Sequence, residues 1–88
     1  MSRRKREITP RMNERDFPHI VELALPQGGF GPKLDAMHTF HRDHGIESRR
    51  GTRQQRNEQE FVRWCFADLN VAADFANRFG GWLVVSSK

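Results

Sequence analysis

The chain has 88 residues, 30% of them charged and 36% hydrophobic, which is room for one domain with a modest core. Its formal charge is +4, and its single cysteine, Cys65, excludes an internal disulfide and fits a reducing compartment. No apolar run approaches the roughly 18 residues a membrane span needs, and no apolar segment follows the charged N-terminus as in a secretory signal, so a cytoplasmic protein with no membrane partner is expected.

Residues 1–16 hold six basic and three acidic side chains, including Arg3, Arg4, Lys5 and Arg6. Residues 17–88 hold nine basic and eight acidic, so the excess charge belongs largely to this tail. The tail has almost no apolar periodicity and is expected to be disordered, leaving residues 17–88 as a single α+β domain.

His19 to Leu25 reads as a strand, with Val21, Leu23 and Leu25 facing the core and Ile20, Glu22 and Ala24 facing away. Pro26 ends it, and the loop Pro26-Gln27-Gly28-Gly29-Phe30-Gly31 leads to Pro32, a good first helical residue. A helix is predicted from Pro32 to His44, with Leu34, Met37, Phe40, His41 and His44 in one sector and Gly45 closing it. Residues 46–59 are polar, with Arg49, Arg50, Arg53 and Arg56; an edge strand over Ile46–Thr52 followed by a hairpin loop is the expected arrangement.

Residues 60–86 carry the firmest pattern, a strand–helix–strand unit. In the strand Glu60–Ala67, Val62, Trp64 and Phe66 share the core face, while Phe61, Arg63 and Cys65 share the other. Asp68 caps a helix whose stripe is Leu69, Ala72, Phe75, Ala76 and Phe79. Gly80-Gly81 stops it, and Trp82 to Val85 is a last strand. The predicted order is βαββαβ, a ferredoxin-like arrangement with both helices on one face of an antiparallel sheet.

Two family resemblances follow from these residues. Trp64-Cys65-Phe66-Ala67-Asp68, Ala73, Phe75, Ala76 and Phe79-Gly80-Gly81, extended by Pro26–Gly31, Leu34–His38 and Phe40-His41, resemble small uncharacterised bacterial proteins over roughly residues 19–85. That likeness implies no activity. The run Phe61–Asp68 before an alanine-rich helix is also similar to the second half of an RNA-recognition motif domain, whose third strand stacks bases on exposed aromatics. Phe61 and Arg63 stand at the matching positions; Gln59 and Glu60 replace the family's glycines, and Glu22 sets a carboxylate on the adjacent strand.

The remaining candidate sites are few. His38, His41 and His44 recur every three residues and are the one conceivable metal set, although helix histidines on an apolar face are more often packed in a core. The glycine loop lacks the lysine of a phosphate-binding loop. Cys65 has no activating neighbour in the sequence pattern, no catalytic constellation stands out, and no cofactor motif is present. The expected function is therefore a small non-enzymatic module. It would bind a second copy or another protein through an open sheet face of Ile20, Ala24, Phe61, Arg63 and Cys65. The alternative is a nucleic-acid-binding accessory protein that grips phosphates with Arg3, Arg4, Lys5, Arg6, Arg49, Arg50, Arg53 and Arg56.

Overall fold

The computed structural model describes residues 10–84. Within them the order is α1 (Pro10–Asp16), β1 (His19–Ala24), α2 (Pro32–Asp43), β2 (Gln54–Arg56), β3 (Gln59–Phe66), α3 (Leu69–Phe79) and β4 (Trp82–Leu83). The four strands form one sheet in the order β2-β3-β1-β4, and every pairing is antiparallel. The chain is thus α+β, with two long helices in the crossovers and a third, short helix ahead of the first strand.

Alternation in the strands fills one side of the sheet. Val21 and Leu23 of β1 pair with Trp64 and Val62 of β3, and all four are buried with Phe66. Met37 and Phe40 of α2, and Ala72, Phe75, Ala76 and Phe79 of α3, close over them. Phe75 stands at the middle, its ring centroid 5.1 Å from Phe66, 5.2 Å from Phe40, 5.6 Å from Trp64 and 4.8 Å from Phe79. Helix α3 begins where Asp68 accepts a hydrogen bond from the Asn70 amide at 3.1 Å, and ends at Gly80 in the left-handed region. Leu69 departs from the predicted stripe: it begins α3 directly after the turn out of β3 and is 50% exposed, so the buried row starts at Ala72.

Two further expectations are corrected. The second strand is not Ile46–Thr52 but Gln54–Arg56. Asn57 and Glu58 make the two-residue turn into β3, with φ of 50° and 64°, the left-handed pair that matches hairpin twist. Asn57 suits that turn, but Glu58 stands where glycine is usual, so the hairpin is camouflaged. Upstream, Arg50 bridges Trp64 while Gln54 pairs with Phe61, so the segment leading into β2 carries one extra residue against β3, a bulge at the sheet edge.

The second correction concerns the tail. Residues 10–16 are helical, although none of them is buried. Polar contacts order them: the Asn13 side chain donates to the Arg50 carbonyl at 2.9 Å, and Glu14 accepts from Thr52. Arg3, Arg4, Lys5 and Arg6 lie outside the described residues, as does Val85 at the predicted end of the last strand.

Candidate interaction face

The side of the sheet away from α2 and α3 carries Ile20, Glu22 and Ala24 of β1, opposite Cys65, Arg63 and Phe61 of β3. Its centre is ionic. Glu22 is 2% exposed, and each of the other three strands donates to it: Arg56 of β2 at 2.8 Å, Arg63 of β3 at 3.0 Å, and Trp82 Nε1 of β4 at 3.2 Å. Arg63 also reaches back to Glu14 of α1 at 3.3 Å. Burial opposes ionisation of Glu22, but the hydrogen bonds and charges of Arg56 and Arg63 outweigh it and hold the carboxyl below its ordinary range.

This ladder divides the face. At the Ile20 end, α1 approaches the sheet, and a cavity of about 400 Å³ lies between Glu14, Arg15 and Pro18 on one side and Ile20, Arg63 and Val84 on the other. Cys65 at this end is 2% exposed, and burial pushes its thiol up to about 12, which keeps it from acting as a ready nucleophile. At the Ala24 end the face is open. Trp82 leans over the small Ala24 side of β1 to meet Phe61 edge-on at 5.9 Å, and remains 43% exposed. The Arg56 guanidinium lies 4.2 Å from the Phe61 ring centroid.

Ile20, Ala24, Phe61, Arg63 and Cys65 thus share one side of the sheet, but that side is not a continuous apolar patch. Ala24 and Phe61 line its open half; Cys65 is buried; Arg63 is engaged by two carboxylates. The residue that organises it, Glu22, reads in sequence as a solvent-facing carboxylate. Alternation did place both Glu22 and Arg63 on the side away from the core, and that shared side was the available signal.

The arginine segment is similarly occupied. Arg49 stacks over Phe17 at 4.1 Å, Arg50 over Trp64 at 4.5 Å, and Arg53 pairs with Glu60 at 3.1 Å. Burial lowers the Arg50 pKa from its ordinary value, with the neighbouring Arg53 charge acting the same way. These guanidinia cover aromatic rings and carboxylates of their own chain before they meet any polyanion.

The three histidines do not converge. His41 is 3% exposed, stacks on Phe66 at 5.3 Å, and donates from Nδ1 to the Met37 carbonyl at 2.8 Å, which leaves its buried Nε2 without a partner. His44 Nδ1 donates to the Phe40 carbonyl at 2.9 Å, and His38 is exposed. His38 and His44 stand about 120° apart on a helix that turns about 100° per residue. Among the described residues no group of three or more His, Cys, Asp and Glu side chains is disposed to hold a metal ion. The glycine loop is a turn: Gly28 and Gly29 have φ of 85° and 90°. Among the described residues no helix is long and apolar enough to cross a membrane.

No protein-family model, curated protein or solved structure matches this chain.

Proposed function

We propose that this chain is a ferredoxin-like, non-enzymatic module that pairs with a second copy of itself through the Ala24 end of the free sheet face. The strand order β2-β3-β1-β4, with α2 between β1 and β2 and α3 between β3 and β4, supports the ferredoxin-like reading. The observation that carries the pairing is Trp82, 43% exposed beside Phe61 and Arg56. Tryptophan and arginine, set among other aromatics, dominate the energetics of protein interfaces. The cations of this half are matched within the chain, Arg56 and Arg63 by Glu22 and Glu14 and Arg53 by Glu60, so a second copy meets paired rather than bare charges. Nucleic acid is the weaker occupant, because phosphates would compete with carboxylates and rings that already hold Arg49, Arg50, Arg53 and Arg56.

Light scattering on the eluting full-length chain tests the reading. At high micromolar concentration the mass is expected near twice 10.3 kDa, with Trp82→Ala and Phe61→Ala returning it to the monomer value at unchanged far-ultraviolet circular dichroism. A monomeric native chain overturns the proposal. Tight, salt-dependent binding to single-stranded nucleic acid that the same substitutions abolish would overturn it in favour of the other partner.

A further inference from the structure

Glu14 sits in a notch built by distant parts of the chain. Its Oε2 accepts from the Thr52 amide at 2.6 Å and the Thr52 hydroxyl at 2.7 Å, and Arg63 Nη1 donates to Oε1 at 3.3 Å and Oε2 at 3.4 Å. Gly51 forms the wall. A Cβ on Gly51 would lie 2.5 Å from Glu14 Oε2 and 3.1 Å from Arg63 Cβ, so a side chain there would fill the notch. Three donors and a cleared wall converge on one carboxylate. None of them belongs to α1. The Gly51 amide donates to the Arg63 carbonyl at 2.9 Å and the Cys65 amide to the Arg49 carbonyl at 2.8 Å, which ties the notch to β3.

The helix that supplies the carboxylate is built differently. It has seven residues, none buried, which is below the length at which a helix persists without tertiary support. A notch tied into β3 thus faces a ligand of the same chain that is held by the polar contacts of Asn13 and Glu14 and not by burial. We propose that the Gly51–Thr52–Arg63 notch is a binding site for a carboxylate side chain of an acidic peptide segment, and that Glu14 is the internal ligand that fills it until such a segment displaces α1. Ile20 and Val84, the sheet-side wall of the adjoining cavity, offer an apolar surface to the neighbour of that carboxylate once α1 moves away. This inference uses the opposite end of the face from the Trp82 contact, and it stands or falls apart from self-association.

The Thr52 amide reports on it by nitrogen–proton NMR of the full chain. In Glu14→Gln, sodium acetate titrated at constant ionic strength is expected to move this amide saturably towards its native position. In the native chain the same titration moves it roughly tenfold less, because the tethered carboxylate has the higher effective concentration. A peptide copying residues 10–17 should saturate the Glu14→Gln chain at lower concentration than acetate does, and the peptide with glutamine for its glutamate should not. No saturable response in Glu14→Gln, or an equal response in both chains, overturns the proposal. Inorganic phosphate acting more strongly than acetate overturns the carboxylate assignment. Native-state hydrogen exchange provides a readout that needs no variant: Thr52 should exchange at least roughly tenfold faster than Val62 and Trp64 by local opening of α1. Exchange of Thr52 as slow as those β3 amides refutes a displaceable helix.

Discussion

The two sides of the sheet solve the same packing problem by opposite means. The side under α2 and α3 is aromatic and nearly dry, with Phe75 touching five rings, those of Phe40, His41, Trp64, Phe66 and Phe79. The other side is held by one carboxylate, Glu22, that accepts from each of the other three strands. Apolar burial is non-directional and tolerates many arrangements. A buried carboxylate tolerates few, because each lost donor leaves charge without compensation. The aromatic side therefore sets how stable the domain is, and the ionic side helps to fix strand order and register. It also leaves the free face split, with Trp82 and Phe61 exposed at one end and the Glu14 notch at the other.

The contrast is tested first where the effect is largest. Phe75→Ala removes the ring at the centre of the dry side and should cost about 3–5 kcal/mol in urea unfolding. That is comparable to the roughly 3–5 kcal/mol a core this small supplies, so the variant is expected to be largely unfolded at room temperature. A well-folded Phe75→Ala chain would show that the two sides share the load. Glu22→Gln should cost less, roughly 1–3 kcal/mol, because Arg63 keeps Glu14 and half-exposed Arg56 turns to water. Removing Arg63 as well should recover part of that loss in a double-variant cycle; strict additivity would show that the two groups do not communicate.

The smallest effect separates the sides by pH. Burial disfavours the charged form of His41, with the nearby His38, His44 and Arg50 charges acting the same way against its Met37 hydrogen bond, so its folded pKa lies below the ordinary 6.5. Between those values the unfolded chain binds more protons, so this contribution is whole above about 6.5 and lost as pH falls through the folded value. Glu22 acts in a lower window, contributing above its ordinary 4.5 and losing that contribution as pH falls through its depressed folded pKa. Unfolding midpoints measured from pH 8 down to pH 3 should therefore fall in two stages. His41→Phe should flatten the first stage and leave the second; Glu22→Gln should do the reverse. A first stage unchanged in His41→Phe would remove the histidine from the account.

Most of the dry side was legible in the sequence. The alternation of Val21 and Leu23 with Ile20 and Glu22, the Val62–Trp64–Phe66 row, and the spacing of Ala72, Phe75, Ala76 and Phe79 each encode a buried stripe through local periodicity. A hairpin loop into β3 was expected, but its tight turn at Asn57-Glu58 was not located, because that turn uses glutamate where glycine is usual. The candidate site was half legible: alternation put Phe61, Arg63 and Ala24 on one face, but Cys65 and Glu22 read as exposed and are buried.

Periodicity thus determined from sequence alone which residues leave water towards the helices, since the backbone repeat of each element fixes that pattern. What covers the second face was decided by tertiary structure. Glu14 meets Thr52 across 38 residues, Glu22 meets Trp82 across 60, and Arg56 meets Glu22 across 34. Charges and hydrogen-bond donors carry no period, so their partners become visible once the strands are in register.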